Sequence, residues 1–111
     1  MPDSLKRLGP NAPLKIEAET VRNEVRITLS GRLDVNSSPD FRKVAQALCA
    51  DSHCKRLNID FADVAYIDTS GLATLLEILV MTEGRGTQLT LSRLNEKVQY
   101  LIDVNGLKGF F

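Results

Sequence analysis

Two apolar periods alternate along this chain, and that alternation restricts it to a layered fold of strands and helices. From Leu14 to Val21 and from Glu24 to Ser30, apolar residues take every second position: Leu14, Ile16 and Ala18, then Val25, Ile27 and Leu29. A period of two predicts a half-buried β-hairpin. Its turn falls at Arg22 and Asn23, where Asn23 tolerates a left-handed backbone better than most residues and no Asn-Gly pair pins the register. Gly31 ends the second strand. Ser38-Pro39 then opens a helix, with Ser38 as N-cap, Pro39 in the first helical position and Asp40 suited to the positive end of the helix dipole. Phe41, Val44, Ala45 and Leu48 fall on one face of that helix, which ends near Ala50.

The alternation returns at Leu57, Ile59 and Phe61, a short strand joined by residues 62–67 to the next element. From Gly71 the spacing lengthens again through Leu72, Leu75, Leu76, Leu79 and Val80, with Ile78 and Met81 widening the stripe, until Gly84 and Gly86 stop it. Gln88 to Leu91 reads as a brief strand. Asn95 to Val104 reads as a last helix closed by a left-handed turn at Asn105-Gly106. Strands and helices thus follow the order β-β-α-β-α-β-α, with room for a last short strand at Phe110 and Phe111. That order predicts an α/β fold, a mixed β-sheet packed against helices mainly on one face.

At 111 residues the chain falls below the roughly 150 expected of one domain. A single domain over residues 14–111 is therefore expected, preceded by a flexible N-terminal arm over 1–13 that has no apolar stretch to serve as signal peptide or anchor. Fourteen Lys plus Arg balance fourteen Asp plus Glu, so no basic field draws nucleic acid or an anionic membrane. The apolar run Leu72 to Met81 is too short to span a bilayer and contains Glu77, which leaves a cytoplasmic protein as the expectation.

Few groups here can carry chemistry. His53 is the only histidine, and no Ser or Cys stands in a nucleophile elbow, so no enzymatic activity is expected. Gly84-Arg85-Gly86 lacks the third glycine of a dinucleotide fingerprint and follows a helix rather than preceding one; no cofactor is assigned to it. Cys49, His53 and Cys54 supply three soft ligands where a closed zinc site needs four, and no metal is expected. The cysteines read instead as reduced thiols, Cys49 in the core at a helix end.

The informative segment is Tyr66-Ile67-Asp68-Thr69-Ser70-Gly71-Leu72, between a strand and a helix. Asp68 or Thr69 can cap that helix by accepting from its free backbone N–H groups, and Ser70 then occupies the first turn, where the dipole favours an anion. Gly71 allows close packing. A hydroxyl pair at the start of so apolar a helix suggests a docking surface made by Asp34, Asp68, Thr69, Ser70, Gly71 and Thr74.

Asp68-Thr69-Ser70-Gly71-Leu72 resembles the signature of the STAS domain of anti-sigma factor antagonists. Gly31-Arg32-Leu33-Asp34 is similar to that family's Gly-x-Leu-Asp stretch, and Val98 to Leu107 resembles its closing helix. The resemblance implies a partner-switching protein. Unphosphorylated, it would bind an anti-sigma factor that is also a serine kinase; phosphorylated on Ser70, with Thr69 as second choice, it would release that partner. A metal-dependent serine phosphatase would restore it. Relatives without a modifiable residue there serve as non-switching subunits of transporters or stress-signalling complexes, the alternative reading for this chain.

Overall fold

The computed structural model describes residues 13–50 and 53–111. The arm expected over 1–13 lies, apart from Pro13, outside the described residues. Four strands form one mixed sheet in the order β1-β2-β3-β4: β1 (Lys15–Val21), β2 (Glu24–Leu33), β3 (Arg56–Ile67) and β4 (Gln88–Ser92). β1 runs antiparallel to β2, whereas β2, β3 and β4 are parallel. Parallel neighbours need long crossovers, and the helices α1 (Ser38–Leu48) and α2 (Thr69–Arg85) provide them. A third helix, α3 (Glu96–Val104), follows β4.

One face of the sheet carries the core. Val25, Ile27 and Leu29 of β2 and Leu57, Ile59 and Phe61 of β3 cluster with Phe41 and Ala45 of α1, Leu72, Leu75 and Ile78 of α2, and Val98 and Ile102 of α3. The intervening residues point to the other face, which is polar. There the Asn58 amide donates to the Thr90 hydroxyl at 2.8 Å, and the Ser92 hydroxyl donates to the Asn58 carbonyl oxygen at 3.1 Å. A sheet buried on one side only explains the alternation read from the sequence.

The differences from the sequence reading have identifiable causes. In the hairpin, Val21 pairs with Glu24, and the left-handed residue is Arg22 (φ 57°) rather than Asn23. Asn23 instead turns its carbonyl to the amides of Lys55 and Arg56, at 2.8 and 3.3 Å, joining the hairpin to the start of β3. Gly31 does not end β2: the strand passes through it at φ 96° and continues to Leu33. Residues 62–67 are not a link but the second half of β3. Thr28 pairs with Asp60 and Ser30 with Asp63; Gly31 pairs with Val64 and Arg32 with Tyr66, so β3 takes an extra residue at two bulges. Its buried positions therefore run Leu57, Ile59, Phe61, Val64, Ile67, and the later spacing no longer reads as a strand.

Ser37, not Ser38, occupies the N-cap position of α1. The Ser37 hydroxyl faces backwards, donating to the Arg32 carbonyl at 2.8 Å and accepting from the Asp34 amide at 3.0 Å, while Ser38 is buried in the helix's first turn. α2 runs straight through Gly84 and stops at Gly86, whose φ of 71° fits a left-handed C-cap. At the C-terminus, Lys108–Phe110 form a 3-10 turn, not a strand.

Gly71 is where the helix layer meets the sheet most closely. A Cβ there would lie 2.8 Å from both the Leu33 Cγ and the Leu33 carbonyl oxygen, and 2.9 Å from the Ile67 Cγ1. Backbone cannot yield at such distances, so α2 would have to move away. Gly71→Ala is expected to lower stability by about 1–3 kcal/mol. At Gly84 an added Cβ meets nothing within 4 Å, and Gly84→Ala should raise stability by about 0.4–1 kcal/mol. Urea unfolding of the two variants checks both signs.

Candidate functional site

The site is built where β2 and β3 end side by side. The Asp68 amide donates to the Leu33 carbonyl at 3.2 Å, which brings the β2–α1 loop against the first turn of α2. Asp34 organises that loop. Its Oδ1 accepts from the amides of Asn36 and Ser37 at 3.0 and 3.2 Å, and its Oδ2 accepts from the Arg32 Nε at 3.1 Å. The Arg32 guanidinium also stacks over Tyr66, 3.8 Å from the ring centroid. Burial alone would raise the Asp34 pKa, but the Arg32 bond and the Asn36 and Ser37 donors outweigh it, holding the carboxyl below its usual 3.8.

Asp68 ties the loop to the helix with one carboxylate. Its Oδ1 caps α2 by accepting from the Gly71 amide at 3.0 Å, and its Oδ2 accepts from the Val35 amide at 3.2 Å. Of the two capping residues the sequence allowed, Asp68 is the one used. Thr69, Ser70 and Gly71 follow as the first three helical residues. Gly71's amide is taken, whereas those of Thr69 and Ser70 meet no acceptor among the described residues. They remain open to an anion at the positive end of a 17-residue helix.

The expected docking residues divide by position. Thr69 is exposed and Ser70 half-buried, so both hydroxyls reach the surface. Neither makes a side-chain hydrogen bond among the described residues. Asp34 and Asp68 are half-buried and engaged in holding backbone, and Gly71 is buried. Thr74 is a correction: at 3% exposure it faces the core, one turn into α2, and presents nothing to a partner. Its position follows from the wide apolar stripe, which turns the next residue on that face inward. Sequence reasoning missed Val35, which is 63% exposed at the loop tip and pinned by Asp68 from 33 residues away. A lone valine in a polar turn carries no periodic signal.

Chemically, the arrangement offers an accessible hydroxyl beside unpaired amides. Each Asp68 oxygen is engaged by a backbone N–H. Among the described residues no three His, Cys, Asp or Glu side chains group to hold a metal ion. None of the helices described is long and apolar enough to cross a membrane.

A one-sided mixed sheet with a polar loop and helix start at the ends of its parallel strands defines a small α/β domain with helices on one face. The family described as "Mlab, STAS domain" matches residues 16–111, and the chain belongs to it. It is similar to the anti-sigma-B factor antagonist of Bacillus subtilis, 28% identical over 95 residues that cover 86% of this chain and 85% of the relative. The crystal structure of an anti-sigma factor antagonist from Mycobacterium paratuberculosis superposes with a TM-score of 0.79 at 22% identity, covering 89% of this chain and 83% of that one. The phosphorylated form of the Bacillus cell fate determinant SpoIIAA superposes with a TM-score of 0.71 at 18% identity, covering 86% and 87%.

The loop geometry makes Asp34 a pH-dependent support. A carboxyl whose pKa is lower folded than unfolded stabilises the fold above its unfolded value, and that contribution disappears as pH falls through the folded one. The stability difference between the native chain and Asp34→Asn is therefore expected to be full above about pH 5 and to close as the solution is acidified below 3.8. Urea midpoints at pH 7, 4 and 2.5 measure it.

Proposed function

We propose that this chain is an anti-sigma factor antagonist that works by partner switching, binding an anti-sigma factor with serine-kinase activity when Ser70 is unmodified and releasing it when Ser70 is phosphorylated. The observation that carries this reading is the half-buried Ser70 hydroxyl in the first turn of α2, without a hydrogen-bond partner among the described residues and next to a carboxylate that already binds two backbone amides. Named relatives support the class: one is an anti-sigma-B factor antagonist, and one solved relative is in a phosphorylated form. Thr69, the more exposed neighbour, is the second choice for modification. A metal-dependent serine phosphatase resets the protein, which acts in the cytoplasm and catalyses nothing itself.

The physics assigns the effect to the interface. A phosphoserine carries about −1.5 to −2 charges at neutral pH. The open amides of Thr69 and Ser70 and the helix dipole offset part of that charge, by about 0.3–1 kcal/mol at an exposed helix start, so the modified chain stays folded. In a complex the same dianion loses water beside Asp68 under a closed surface. Val35, Thr69 and Ser70 form the contact rim in this reading. Asp34, Asp68 and Gly71 position it from beneath.

Each 1.4 kcal/mol of that penalty weakens binding about tenfold. Calorimetry with the cognate anti-sigma kinase is expected to give Ser70→Ala the affinity of the native chain, within about threefold, and to show the Ser70 phosphoprotein binding at least about tenfold more weakly. Incubation with that kinase and ATP should add the mass of one phosphoryl group, located on Ser70. A protein that gains no phosphate, or binds equally well with it, is a non-switching subunit instead.

A further inference from the structure

At the end of α2 remote from Ser70, two cysteines that the proposed function does not use lie side by side. Cys49 follows the last residue of α1, and Cys54 stands two residues before β3. Both are free thiols, 1% and 6% exposed, and the Cys54 sulfur lies 3.8 Å from that of Cys49. Their backbones are held from the same direction: the Arg85 guanidinium donates to the Cys49 carbonyl at 2.7 Å, and the Thr87 hydroxyl to the Cys54 carbonyl at 2.8 Å. The two segments are thus held by Arg85 at the end of α2 and by Thr87 just beyond it, with their sulfurs 3.8 Å apart. A disulfide needs the sulfurs about 2.05 Å apart, under about 2 Å closer than they stand.

We infer that Cys49 and Cys54 are a modification site, converted by hydrogen peroxide into an intramolecular disulfide. In the first step the Cys54 sulfur, the less covered of the two, attacks one peroxide oxygen. An S–O bond forms and the O–O bond breaks; the thiol proton goes to the departing hydroxide, giving a sulfenic acid and water. In the second step the Cys49 sulfur attacks the Cys54 sulfur. The S–S bond forms, the S–O bond breaks, and the Cys49 proton leaves with the hydroxyl as a second water. The two sulfurs lose two electrons in all, and the peroxide gains them.

Burial governs the rates. It pushes the Cys49 thiol up to about 12, helped by the neighbouring Cys54 and opposed by Arg85. Covered thiols react slowly with peroxide, but the second step needs no encounter, because its partner is already in place. With Cys49 already 3.8 Å away, the expected end product is the disulfide rather than the sulfinic acid of Cys54. The inference does not depend on Ser70 being a phosphoacceptor.

The test uses the full reduced chain, exposed to hydrogen peroxide, then unfolded, alkylated and weighed by mass spectrometry. The expected product is a monomer about 2 Da lighter than the reduced chain, with neither cysteine alkylated and both recovered after dithiothreitol. In Cys49→Ser the same treatment should leave Cys54 carrying one or more oxygen atoms, since no thiol is there to resolve it. Native protein in which both cysteines are still alkylated after peroxide, or in which Cys54 is sulfinic and Cys49 alkylated, or which forms only disulfide-linked dimers, overturns the inference.

Discussion

The approach of α2 to the end of β2 is the constraint on which the rest of the site depends. Gly71 has no side chain, and the space its Cβ would need is filled by the Leu33 carbonyl, the Leu33 side chain and Ile67. Only because the helix backbone sits that close can the Asp68 carboxylate reach its own helix and the β2–α1 loop at once, through Gly71 and Val35. The same contact sets the rotation of α2, which then turns Leu72, Leu75 and Ile78 into the core and leaves Thr69 at the surface. A side chain at position 71 would loosen both the packing and the capping arrangement, since they share one geometry.

The carboxylates of the site are structural before they are anything else. Asp34 closes the loop on itself, and Asp68 closes the loop onto the helix, each by accepting from two backbone amides. The ionised state of Asp34 is part of the fold, and both carboxyl groups beside Ser70 are held in place by backbone amides. An added anion there cannot be relieved by moving Asp68 away without freeing two amides. The proposed switch gains its sharpness from that rigidity.

Much of the fold was legible because burial on one face of a sheet writes a period of two and burial of one side of a helix writes a period near 3.6. The hairpin strands, the helix through Phe41 and Ala45, and the helix from Leu72 to Ile78 all follow from spacing alone. Reading failed where a local interaction overrode the period. Two bulges in β3 moved its buried residues out of step, so residues 62–67 looked like a connection. The carbonyl of Asn23 was needed by β3, and the left-handed turn residue became Arg22. At α1 the hydroxyl of Ser37 was committed to the preceding loop, which no pattern of residue types distinguishes from the neighbouring Ser38. In the site, the hydroxyl at the helix start was visible from the order Asp68-Thr69-Ser70-Gly71. The inward turn of Thr74 and the outward one of Val35 depend on tertiary packing and were not.

The two ends of α2 also bear on how a modification at one of them could act. At 17 residues and about 1.5 Å per residue, the helix is about 25 Å long, and it is fixed at both ends. Gly71 and Asp68 hold its first turn against β2, while Arg85 ties its last residue to the Cys49 carbonyl and Thr87, just past the helix, binds the Cys54 carbonyl. A rod pinned at two points resists both sliding and tilting, because either motion breaks buried packing at one end and hydrogen bonds at the other. Chemistry at Ser70 therefore has no inexpensive way to move the helix, and chemistry at the cysteines has none to reach Ser70. The proposed switch therefore acts where the phosphate is attached, through the charge and shape of the rim around Ser70.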